Sequence, residues 1–226
     1  MADLLARSRT TMLEEVMRRA GLTQAADGAQ SQPGIRLRRV GDELDEVDLM
    51  VPAMFAGAGG RRSVRLPPHD DRAARRANGL EGVLIDNDLM PVRALAPEDG
   101  RTILVRVAGP AAMLVSKLFK LHERVGSTDR LLDKDAHDVF RILTGTDAED
   151  LLRRYRRLLA DAVSRGAAIA ALGYLSEHFA AGPGAVGSMM AGRAEAGVGE
   201  PETVARQVSI LAVELLGMLR DGTDGR

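Results

Sequence analysis

The dipeptide Gly109-Pro110 divides this sequence into two stretches of different periodicity, and that division limits the folds open to it. Before it, short apolar runs alternate with turn residues, as in strands. After it, apolar residues recur at helical spacing almost to the C-terminus. Proline is well placed at the first position of a helix, because the backbone donor it lacks would have had no partner there. Helices are therefore expected over 110–125, 133–144, 147–181 and 201–220, with the Gly-rich segment 182–199 as a mobile connector. On the N-terminal side, residues 8–21 read as an amphipathic helix, with Met12, Val16 and Met17 on one side and Gly21 ending it. A polar link over 23–34 follows. The strands are "GIRLRRV" (34–40), "ELDEVDLMVP" (43–52), "RSVRLP" (62–67), "GVLI" (82–85) and "TILVRVA" (102–108), interrupted by a short helix near 70–78. The expected fold is α+β: a small mixed sheet over 1–108 followed by a helical bundle over 109–226.

Composition closes several routes to function. With 31 basic and 32 acidic side chains there is no global field to recruit nucleic acid or an anionic membrane, so phosphate binding would have to be local. The absence of cysteine removes disulfides, thiolate zinc sites and cysteine nucleophiles together. The longest apolar stretch, around residues 167–172, is far short of the roughly 20 residues a membrane helix needs. No apolar signal-peptide core follows the first residues. The expectation is a soluble, cytoplasmic protein with no membrane partner.

"ELDEVDLMVP" carries acid inside what reads as a buried strand. Leu44, Val47, Leu49 and Val51 supply the apolar side, and Asp45, Glu46 and Asp48 the charge. Asp48 is either the wet side of a half-buried strand or a metal ligand, and alternation alone allows both. Glu46 shares its face. Asp45 is expected to face solvent.

The helix 110–125 offers a second feature. At about 100° per residue, Leu114, Leu118, Leu121 and Val125 form a buried stripe, and Lys117, Lys120 and Arg124 fall together on an adjacent face. Such a ridge can simply cover apolar surface with its long stems. The chain has only three lysines, however, at 117, 120 and 134, and all lie in or beside this segment. A compact ammonium suits a phosphate as a point charge. In "LLDKDAHDVFRIL" (131–143), Asp135 and Asp138 share a helical face beside Val139, Ile142 and Leu143. Asp133 and Asp135 can favour the helix dipole. Asp138 lies deeper, where it can bind a cation, pair with the lysine ridge or face water. The four histidines, at 69, 122, 137 and 178, have no spacing that suggests a zinc site.

The succession "VDLMVP", then a strand into "GPAAMLVSKLFKLHER", then "DKDAHDVFRIL" resembles nucleotidyltransferase-fold proteins of the AbiEii type, the toxin-side enzymes of bacterial toxin–antitoxin and phage-abortive systems. The likeness spans roughly residues 1–145. It implies that Asp48 matches the family's third carboxylate, Lys117 and Arg124 the basic helix pair, and Lys134, Asp135 and Asp138 the K-D-x-x-D segment. Asp3 matches the second acid of the D-x-D pair, Met1 stands where the first acid would, and the Gly-Ser turn has no counterpart. On that resemblance the site would hold Mg2+ or Mn2+ through Asp3 and Asp48, with Glu46 as a weaker ligand. Asp48 would act as base or second-metal ligand, and Lys117, Arg124 and Asp138 would bind the nucleotide. The implied activity is transfer of a nucleotide from a nucleoside triphosphate to RNA, tRNA or protein, with an antitoxin protein as partner. The alternative is a catalytically inactive, N-terminally truncated relative acting as a binding or regulatory module, and the missing acid and turn lead to an expectation of little transferase activity.

Overall fold

Strand pairing among the described residues is by hairpin in two ladders and across some 25 residues in a third. The computed structural model describes residues 12–24, 33–56, 64, 67–69, 72–125 and 132–221. Within it the architecture is α+β, and the strands form three two-stranded ladders, two antiparallel and one parallel. The chain divides into two compact units, Met1–Ala77 and Asn78–Arg226.

In the first unit, α1 (Leu13–Arg19) begins with Glu14 and Glu15 and ends with Arg18 and Arg19, charges that complement the helix dipole. It buries no residue. Strands β1 (Ile35–Val40) and β2 (Glu43–Asp48) form a hairpin with Val40 opposite Glu43. The two-residue turn places Gly41 at φ 62°, the positive value that the first position of a II′ turn requires. Strand β3 (Met50–Pro52) pairs in parallel with β4 (Arg75–Ala77), where a helix near 70–78 was expected. The first unit buries only Ile35, Ala56, Val64, Ala73 and Ala74 among its described apolar residues. Leu44 is 42% exposed, so β2 is not the buried strand its apolar residues suggested. The strand expected over 62–67 falls mostly outside the described residues.

The second unit begins earlier than the 108/109 division read from periodicity, because the segment before Gly109 is anchored to the helices. Strands β5 (Asn87–Arg93) and β6 (Thr102–Ala108) form a hairpin with Asn87 opposite Ala108. "GVLI" is a 3-10 turn over Glu81–Leu84 rather than a strand. Asp86, fully buried, accepts from the Ala112 N–H at 3.0 Å and so caps α2 (Pro110–His122) from outside the helix. It also accepts from Arg154 Nη1 at 2.9 Å. A Cβ on Gly109 would collide with the Asp86 carboxylate, which explains the glycine before Pro110.

Four further helices follow as expected: α3 (Asp133–Gly145), α4 (Ala148–Ala160), α5 (Arg165–Leu175) and, after an unexpected one, the last. Helix α5 continues as a π-helical segment over Ser176–Ala180. The supposed connector 182–199 contains α6 (Val186–Ala194), which buries Met190 and Ala191. Its glycines serve packing: a Cβ on Gly187 would lie 2.6 Å from the Phe179 ring, and one on Gly192 would strike the Pro201 carbonyl. Helix α7 (Pro201–Asp221) closes the bundle. Leu114, Leu118 and Leu121 of α2 are fully buried, and Val125, past the helix end, is 37% exposed. They join Val139, Tyr155, Leu158, Leu175, Phe179 and Val208 in one continuous core. No helix among the described residues is long and apolar enough to cross a membrane.

Candidate functional site

The polar ridge of α2 and the acidic side of α3 face each other across the edge of that core. Apolar contact sets the geometry: Leu114, Leu118 and Leu121 of α2 and Ala136, Val139 and Leu143 of α3 are buried together. Residues adjacent to each stripe are thereby brought opposite one another. Lys117 Nζ donates to Asp138 Oδ2 at 2.6 Å. One turn on, Lys120 Nζ lies 2.7 Å from Asp135 Oδ1, and Arg124 Nη1 donates to Asp135 Oδ2 at 2.5 Å. Asp135 is 1% exposed, so its charge is buried between two cations. It is thus more than a dipole complement at the helix start. Of the three roles open to Asp138, pairing with the ridge is the one it has.

Beside the Lys117–Asp138 pair lies an open cavity of about 340 Å3 lined by Met113, Lys117, Asp138, Arg141, Ile142, Gly145 and Thr146. Arg141 is exposed and has no ion pair among the described residues. Lys117 and Arg141 therefore give the cavity two cations and Asp138 one carboxylate. Lys134 is exposed on α3.

The acidic candidates of the first unit are arranged differently. Asp48 Oδ1 accepts from Arg75 Nε at 2.8 Å, and its second oxygen accepts from Arg75 Nη2, a two-pronged pair across the β2–β4 side of the unit. Glu46 is exposed, opposite Leu37. Asp45, expected to face solvent, has a side chain 45% exposed, and it accepts there from Arg38 Nε and Nη2 at 2.9 and 2.6 Å. Asp3 lies outside the described residues. Among the described residues, no group of three acids and histidines that could share an ion includes Asp48 or Glu46. Among the described residues Asp48 has no such group around it, and one carboxylate clamped by a guanidinium does not by itself make the near-octahedral oxygen shell that Mg2+ takes.

The fold does assemble a group that spacing in the sequence did not announce. His122 Nδ1 and His178 Nε2 are 3.0 Å apart, although 56 positions separate them. Glu177 completes the cluster, with one donor atom of each residue within 4.8 Å of the others. His178 is 2% exposed, and burial pushes its imidazole below the ordinary value, with the nearby Glu177 carboxylate opposing that shift. The remaining histidines have other partners: His137 Nε2 is 2.5 Å from Glu195 Oε1, and His69 Nδ1 accepts from the Leu13 N–H at 3.4 Å. Only tertiary packing could reveal the pair, because His122 ends α2 and His178 sits in the π-helical segment. Compared with family models, with curated proteins and with solved structures, the chain matches none.

Proposed function

We propose that the chain is a nucleotidyltransferase-like protein whose helical unit binds the phosphates of a nucleoside triphosphate, and that it acts as a binding module. The observation behind this is the cavity in which Lys117 and Arg141 stand beside Asp138. Two cations against one carboxylate leave the wall electropositive, as an anionic ligand requires. Lys117 can meet a phosphate as a point charge and Arg141 can fork around its oxygens. The cavity of about 340 Å3 lies at the lower end of the range for small-molecule sites, which suits a phosphate chain better than a whole nucleotide. Arg124, matched to the same role by resemblance, has its charge taken up by Asp135 and contributes by holding α2 against α3.

The test is thermal. A triphosphate that binds only the native protein raises its melting temperature. Lys117→Ala and Arg141→Ala are each expected to abolish that rise, while Arg141→Ala leaves the unliganded melting point unchanged. Melting that ignores the triphosphate in the unaltered protein overturns the reading.

A second reading, metal-dependent nucleotide transfer to RNA, tRNA or protein, draws on the match of Asp48 to a family carboxylate. It requires Asp48 to part from Arg75, so the pair now favours the binding module. Incubation with Mg2+ or Mn2+, labelled nucleoside triphosphates and bulk tRNA is expected to give no more label than an Asp48→Asn control. Strong labelling that depends on Asp48 would put the transferase first.

A further inference from the structure

We propose that His122, His178 and Glu177 form a binding site for one divalent transition-metal ion of the zinc class, with water in the remaining position. Two imidazoles and a carboxylate are a known zinc donor set, and the open fourth position is what three protein ligands leave. In the metal-free protein the two facing nitrogens, 3.0 Å apart, can be in contact only by sharing a proton. A metal ion replaces that proton and takes both lone pairs. Zinc–nitrogen bonds of about 2.0–2.1 Å at a tetrahedral angle put the two nitrogens about 3.3 Å apart. The rings therefore need only separate by a few tenths of an ångström and tilt out of line.

The surroundings already restrict them in the way a ligand pair needs. The His122 ring stacks on Tyr174, with centroids 3.8 Å apart and planes 14° from parallel. Tyr174 is in turn held edge-on by Phe119 at 5.1 Å. His178 is fixed by burial. The π-helical winding of Ser176–Ala180 puts more residues into a turn than an α-helix does, so the successive side chains of Glu177 and His178 diverge less. Glu177 is the adjustable member: its side chain is 62% exposed, and its carboxylate lies 3.9 Å from Nδ1, on the other side of the His178 ring. One ligand atom of each of the three residues lies within 4.8 Å of the others, so the carboxylate must swing toward the facing nitrogens when an ion is present. That exposed side is also the route of entry.

The site needs no nucleotide, so it stands apart from the phosphate cavity and its test separates the two. The full chain, stripped with chelator, is titrated with Zn2+ against a chromogenic competitor. One equivalent is expected to bind. His122→Gln and His178→Gln are each expected to weaken binding by more than about 100-fold and Glu177→Gln by about tenfold. His69→Gln and His137→Gln serve as controls and should bind as the unaltered chain does. Co2+ in place of Zn2+ should give the visible absorption of a four-coordinate site, lost in His122→Gln. Circular dichroism checks each variant's fold; if His178→Gln fails to fold, His122→Gln, at a partly exposed position, decides. Absence of a bound equivalent, or unchanged affinity in His122→Gln, overturns the proposal.

Discussion

The unit Met1–Ala77 and the unit Asn78–Arg226 differ in how their carboxylates stand to the core. In the first, arginines and carboxylates pair near the surface, as in Arg38–Asp45 and Arg75–Asp48, and the buried apolar side chains among its described residues are two larger ones and three alanines. In the second, ion pairs border a core of more than twenty buried apolar residues and one of their carboxylates, Asp135, lies within it. Each fully buried large apolar side chain is worth about 1.5–3 kcal/mol, whereas an exposed ion pair is worth about 0–1 kcal/mol. Among the described residues, the second unit therefore buries most of the stabilising apolar surface. Charge is expensive to disturb there at Asp135 and Asp86, because a buried carboxylate left without its partner has no water to turn to.

The strongest test of this contrast removes both cations from Asp135. Lys120→Met with Arg124→Met leaves a carboxylate 1% exposed without compensation, and denaturant unfolding should show a loss of about 3–5 kcal/mol. A loss under about 1 kcal/mol would mean that Asp135 is solvated in practice and would erase the difference between the units. Next, Leu118→Ala should cost about 2–5 kcal/mol by the same measurement, since Leu118 is fully buried at the centre of the core. Ile35→Ala in the thin core of the first unit, 8% exposed, should fall below it. Gly187→Ala places a methyl against the Phe179 ring and the His178 carbonyl, 2.6 and 2.8 Å away, and should cost about 1–3 kcal/mol. Because that strain bears on the π-helical segment, it should also weaken Zn2+ binding, which the same competitor titration reads. The smallest effect belongs to Asp48→Asn, at a half-buried pair, with an expected loss of about 1 kcal/mol or less. A larger loss there would make the first unit's charges structural in the sense of the second's.

The basic ridge of α2 and the acids of α3 meet in the structure. Lys117, Arg124, Asp135 and Asp138 do come together, since they flank two stripes that pack face to face. Most of them are spent on each other. Arg141, which the sequence reading passed over, is the one cation of that wall without an ion pair among the described residues, and no local pattern distinguishes it from the other arginines.

Helical periodicity determined α2, α3 and α7 within a few residues and the outer limits of α4 and α5 together, though not the break between them, because a 3.6-residue repeat is a local property of the chain and each helix needs only one buried face to persist. The stripe on α2 and the lysines beside it were legible for the same reason. Tertiary structure alone decided the rest. Helix α6 was hidden in glycines that exist to let Phe179 and Pro201 approach, a requirement set by neighbours distant in space. Strand β5 was hidden by Pro91, which the two-stranded hairpin accommodates at an edge. The cap on α2 comes from Asp86, more than twenty residues before the residue whose N–H it accepts. The pairing of Asp48 with Arg75 crosses 27 residues and has no signature in the strand that carries Asp48. His122 and His178 meet because the end of α2 lies against the π-helical turn, and a contact across 56 residues leaves no trace in the spacing of either neighbourhood.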